Sequence, residues 1–138
     1  MTLTPEIEAL LKRIKEERLR DFSNPDFDVF RSSYQCSVPT VLVELYSLGE
    51  ALLKTGCQFE SLWVESFRPL SANAIQESAE RYGRQFYQFA VGDEGQAYLL
   101  RISDPASVWM DNDSDGKLVE ALPASMECLV NEAKRRFK

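Results

Sequence analysis

Residues 86–100, Phe-Tyr-Gln-Phe-Ala-Val-Gly-Asp-Glu-Gly-Gln-Ala-Tyr-Leu-Leu, decide the fold. Two apolar, aromatic-rich runs flank Gly92-Asp93-Glu94-Gly95, a turn composition, so the stretch predicts a β-hairpin with strands at Phe86–Val91 and Gln96–Ile102. Reading forward, Ser107–Asp111 and Lys117–Leu122 are further strand candidates, separated by Asp104-Pro105 and by Asn112–Gly116. Turn signals about 8–12 residues apart favour consecutive hairpins over parallel crossovers. Reading backward, Glu50–Lys54 and Leu62–Arg68 predict two more strands, bounded by Thr55-Gly56 and by Pro69.

Helical signals surround this meander. Thr4 can cap a first helix with Pro5 at its first position, and Ile7, Leu10, Leu11, Ile14 and Leu19 form one apolar stripe up to Asn24-Pro25. Residues 23–37 predict a packed loop with at most a helical turn. A second helix is expected from Ser37-Val38-Pro39 to Gly49, a third from the Ser71 cap through Ala72–Tyr82 to Gly83, and a last one opened by Pro123-Ala124-Ser125. Met126, Leu129, Val130, Ala133 and Phe137 share one face of that last helix, with Lys134, Arg135, Arg136 and Lys138 at its negative end. The expected class is α+β: a mostly antiparallel sheet of about six strands, with about four helices on one face and at the ends.

Several segments, in this order, resemble the SUKH superfamily, which includes the fungal Smi–Knr regulators and many bacterial immunity proteins. Val38-Pro39-Thr40-Val41-Leu42-Val43-Glu44-Leu45-Tyr46 is similar to the family's proline-led, acidic–aromatic–leucine helix. Residues 86–100 resemble its strand–Gly-Asp turn–strand core. Val108-Trp109-Met110-Asp111 is similar to its strand before an acidic turn, and Ala124-Ser125-Met126-Glu127-Cys128-Leu129 to the start of its closing helix. The likeness implies one domain over 1–138, with 1–37 an N-terminal helix and packed loop and 38–138 the best-matching core. It implies a protein-binding fold without catalytic residues or cofactor: in bacteria an immunity protein that binds a cognate toxin, often a nuclease, and in fungi a regulatory interaction module.

Composition narrows the chemistry independently. The 138 residues contain no histidine, so no Ser-His-Asp triad, Cys-His pair or His-ligated zinc site can be built from this chain alone. With 16 Lys and Arg against 22 Asp and Glu, the net charge is −6. That disfavours nucleic acid as a partner, because phosphate contacts need clustered bases, and suits a basic one. The charge is unevenly placed. Residues 1–22 are neutral and 131–138 carry +3, which leaves −9 on residues 23–130. No apolar run is long enough for a membrane span, and the charged, helical start does not read as a signal peptide. Cys36, Cys57 and Cys128 are odd in number and widely spaced, as expected of reduced thiols in the cytoplasm.

Three constellations merit chemical weighing. Asp111-Asn112-Asp113-Ser114-Asp115-Gly116 matches the first half of an EF-hand loop, but position 12 falls on Leu122, where a bidentate Glu is needed; an acidic hairpin turn is the expected reading, and no metal is expected. Carboxylate pairs among 22 acids show no spacing that selects one for acid–base work, so an enzyme using carboxylates or a bound cation is the weakest reading. Alternation places Trp63, Glu65 and Phe67 on one strand face. If exposed, they form an aromatic–acid patch suited to a protein partner. Partner contacts are therefore expected at Trp63, Glu65, Phe67, Asp93, Glu94, Asp111, Asp113 and Asp115, with a basic toxin domain the expected partner and a Smi–Knr-type adaptor role the alternative. Nothing in the sequence fixes the oligomeric state.

Overall fold

The computed structural model describes residues 4–59 and 62–137; Lys138 of the expected last helix and Met1–Leu3 of the charged start lie outside them. Six strands, β1 (Thr55–Phe59), β2 (Leu62–Phe67), β3 (Phe86–Val91), β4 (Ala97–Arg101), β5 (Ser107–Asp111) and β6 (Val119–Ser125), pair in sequence order. Every pairing is antiparallel, and the sheet curls into a half-barrel. The helices are α1 (Pro5–Ser23), α2 (Phe27–Tyr34), α3 (Thr40–Tyr46), α4 (Ala72–Tyr82) and α5 (Met126–Arg136), with a 3-10 turn at Gly49–Leu53. The class is α+β, as the turn spacing predicts.

Local chemistry sets the boundaries. Thr4, Ser71 and Ser125 accept from the backbone N–H three residues on, at 3.2–3.3 Å, and so cap α1, α4 and α5. Residues 23–37 are more ordered than a packed loop. Asp26 caps α2 by accepting from Val29 N at 3.1 Å, and Gln35 ends it in the left-handed region. Phe30 and Tyr34, on the buried side of this helix, stack with ring centroids 4.5 Å apart. Glu50–Lys54 is not a strand: Gly49–Leu53 winds into the 3-10 turn that buries Leu52, and β1 begins at Thr55. Pro39 stands before α3, as its N-cap, and not inside it. The expected Lys117–Leu122 strand is shifted, because β6 runs through Pro123 to the Ser125 cap. Pro123 is tolerated there because β6 is an edge strand and its register against β5 slips at that point.

The main core draws on all five helices and on the sheet. α5 lies across the half-barrel, and Phe137 meets Phe59 and Phe67 edge-on, with Phe59 and Phe67 also edge-on to each other. Arg136 reaches from α5 to the Gln58 carbonyl of β1, joining the last helix to the first strand. β4 is buried on both faces: Tyr98 and Leu100 belong to the main core, whereas Ala97 and Leu99 join a second cluster with Tyr82, Phe86, Trp109 and Val119. α1 forms as the sequence predicts, from the Thr4 cap to Ser23. Its apolar stripe is mostly exposed, and only Phe22 enters the core.

Candidate interaction surface

The two acidic turns meet. In an antiparallel meander alternate hairpins open at the same end of the sheet, so the β3–β4 turn and the β5–β6 turn emerge together. The Ser114 hydroxyl donates to the Gly95 carbonyl oxygen at 2.6 Å and ties one turn to the other. Each turn is also closed by its own side chains. Gln96 accepts from Glu94 N at 2.8 Å, and Asp115 accepts from Lys117 N at 3.0 Å. Asp93, Glu94, Asp113 and Asp115 are all exposed along this rim.

Asp111 holds the rim from beneath. It is 1% exposed, and its Oδ2 accepts from the Tyr82 hydroxyl and from Gly116 N, both at 2.7 Å. Burial, and next the bond to this carboxylate, push the Tyr82 hydroxyl well above the ordinary phenol range. Gly116 has φ +81°, and a Cβ there would stand 2.8 Å from the Arg81 carbonyl oxygen. Glycine is therefore required twice, for the backbone sign and for the close approach of α4. That approach brings Glu77, Glu80 and Arg81 beside Asp115 around one shallow depression. Glu77 also pairs with Arg68 at 2.8 Å. A second hollow is lined by Met110, Asn112, Asp113, Leu118 and Glu120, with Leu118 66% exposed at the mouth. The rim thus combines carboxylates with one protruding apolar side chain, a pairing that can attract a cationic surface and then bury an anchor.

Two expected contact residues are removed from this surface. Asp111 is a buried support of the turn. Phe67 is 2% exposed within the aromatic cluster under α5, because the alternation begun at Leu62 and Val64 slips before the end of β2 and turns Phe67 inward. Trp63 and Glu65 remain on the outer side of the β1–β2 hairpin, where Trp63 Nε1 donates to Glu65 at 3.2 Å and the indole packs beside Gly56. They form a patch of their own, and no hydrogen bond among the described residues joins it to the acidic turns. Leu118, Glu77 and Glu80 are rim residues that lie outside the partner contacts expected from the sequence. The signal for Leu118 was available in a lone leucine beside a turn of Asp, Ser and Gly; the α4 acids needed the tertiary contact at Gly116.

The EF-hand half-match does not form a cation cage. Asp111, at its first position, is committed to Tyr82 and Gly116, and among the described residues no group of three or more Cys, Asp or Glu side chains is placed to hold a metal ion. Cys36, Cys57 and Cys128 are free thiols. Among the described residues no helix is long and apolar enough to cross a membrane. Comparison with protein-family profiles finds no matching family, and a search of curated proteins finds no significant match.

Proposed function

We propose that this chain is a non-catalytic protein-binding domain of the SUKH kind, acting as an immunity protein that occludes a cognate basic toxin, with a nuclease as the kind of toxin expected. The observation that carries the reading is the Ser114–Gly95 bond, which fuses two acidic turns into one rim. A nuclease must present cations to phosphate, and a fixed rim of Asp93, Glu94, Asp113 and Asp115 offers such a surface an alternative set of anions. Binding by the rim would be stoichiometric, with the carboxylates setting the encounter rate and Leu118 supplying buried apolar contact.

Co-expression with a basic nuclease toxin, chosen from any toxin gene that neighbours this chain's gene, tests the proposal. The expected result is rescue of growth and a one-to-one complex that weakens as salt rises. Glu94→Lys and Asp113→Lys change exposed side chains that do not close a turn, and each should reduce affinity by roughly tenfold, mainly through slower association. Absence of rescue and of a complex would defeat the proposal. A complex indifferent to both reversals would remove the rim from it.

A further inference from the structure

The apolar stripe of α1 is unusual in being intact and uncovered. Ile7 is 45% exposed, Leu10 51%, Leu11 50% and Ile14 45%, although α1 is a capped helix of 19 residues. Leu53 of the 3-10 turn adds apolar lining beside Leu11 and Ile14, so the stripe borders a groove that Lys15 and Arg18 also line. An isolated helix gains little stability from propensity alone and relies on burying its apolar face.

The geometry points to a second copy of this chain as the occupant, with two α1 helices packed antiparallel. The central part of the stripe is symmetric in its spacing, since 7, 10, 11 and 14 read the same from either end. A two-fold axis between Leu10 and Leu11 therefore sets Ile7 against Ile14 of the second copy and Leu10 against its Leu11, with Leu19, 40% exposed further along the stripe, outside the paired set. At about 100° per residue, Glu8 and Lys15 fall on one flank of the stripe, and Glu6 and Arg13 on the other. Rotation about an axis normal to the helix pair brings like flanks together. Glu8 then lies about 3 Å along the axis from Lys15 of the second copy, and Glu6 the same distance from its Arg13, at about 1.5 Å rise per residue. The symmetry doubles each contact, so four opposite-charge pairs rim the apolar seam. A parallel two-fold pair would instead bring opposite flanks together, setting Glu8 beside Glu6 of the second copy and Lys15 beside its Arg13. Among the described residues, Glu6, Glu8, Arg13 and Lys15 form no ion pair within the chain, and all four are exposed. The seam is short and its charges are exposed, so the association is a reversible one that responds to concentration.

Sedimentation velocity of the full chain, from low to high micromolar concentration, tests the pairing. The expected result is a reversible monomer–dimer equilibrium. Leu10→Asp with Leu11→Asp should abolish the dimer while circular dichroism and the melting transition persist, because both side chains are already half in solvent. Glu8→Lys should weaken the dimer by about tenfold, and Glu8→Lys combined with Lys15→Glu should restore it, because the exchanged charges still meet across the antiparallel seam. A monomer at every concentration overturns the inference, even if α1 then proves to bind another protein. A dimer that survives the Leu10/Leu11 change, or a charge exchange that fails to restore association, overturns it equally.

Discussion

Asp111 shows how a residue that looks like a ligand can serve as a foundation. Its carboxylate is buried at the end of β5 and receives the Tyr82 hydroxyl and the Gly116 N–H, one from α4 and one from the turn that follows. Asp111→Ala removes the one acceptor that both groups share and strands two donors, the Tyr82 hydroxyl and the Gly116 N–H. Hydrogen bonds to a charged group contribute roughly 1.5–3 kcal/mol each, so the loss of two should cost the variant about 3–6 kcal/mol in urea denaturation. Tyr82→Phe should cost less, roughly 1–2 kcal/mol, because Gly116 still satisfies the carboxylate. The two changes should be less than additive in a double-mutant cycle. A loss below about 0.5 kcal/mol in Asp111→Ala would mean that the turn is held by other contacts. Composition could not reveal this role. Asp111, Asp113 and Asp115 are chemically alike in sequence, and only the approach of Tyr82 separates the buried one from the exposed two. Phe67 teaches the same lesson in reverse: alternation places it beside Trp63 and Glu65, and packing against Phe59 and Phe137 overrides that phase.

At the scale of elements, β3 presents a problem that the sheet alone does not solve. β2 pairs with it only through Ser66–Val91 and Phe67–Ala90, so its first half lacks a neighbouring strand on that side. α4 and α2 supply what is missing. Ser78 Oγ accepts from Gln88 N at 2.9 Å, and the Tyr34 hydroxyl donates to the Phe86 carbonyl oxygen at 2.8 Å while lying 3.1 Å from Ser78 Oγ. Ser78 is 3% exposed, so Ser78→Ala leaves the Gln88 N–H without its side-chain acceptor. The expected cost is about 1–3 kcal/mol by chemical denaturation, with amide exchange at Gln88 accelerated. Unchanged exchange at Gln88 would contradict this account. The sheet was legible because Gly92–Gly95 and Asn112–Gly116 announce hairpins wherever they occur. α2 was not, since eight residues with Phe27, Phe30 and Tyr34 give barely two turns of periodicity, and its Asp26 cap reads equally well as loop. A short apolar run such as Ala51-Leu52-Leu53 fits a strand and a 3-10 turn equally, so sequence alone does not separate the two. The pairing of acidic turns follows from meander topology and was readable as a condition; the α4 acids beside them depend on a contact between distant segments.

Across the whole molecule, all five tyrosines have hydroxyls held above the ordinary phenol range. Burial raises Tyr34 to about 12 and lifts Tyr46, Tyr82, Tyr87 and Tyr98 above their usual value of 10.0. Tyr46 donates to the Arg68 carbonyl oxygen at 2.7 Å, and Tyr87 to that of Pro69 at 3.1 Å. Asp26 N donates to Leu70 O at 2.8 Å, so three consecutive carbonyls of the β2–α4 link are fastened from different elements. Each hydroxyl is favoured neutral in the folded state, and an unfolded tyrosine ionises near pH 10. A folded value raised above the unfolded one gives stability that is complete below about pH 10 and falls as pH rises toward the folded value, because the folded state then binds more protons than the unfolded. Phenolate absorbance of the native protein should therefore stay low slightly above pH 10, where the chain in strong urea has already ionised. It should then rise together with the loss of circular dichroism, as tyrosines are released by unfolding. Ionisation of all five near pH 10 with the fold intact would show that the hydroxyls are open to water, and that the carbonyls of Arg68 and Pro69 find their partners elsewhere.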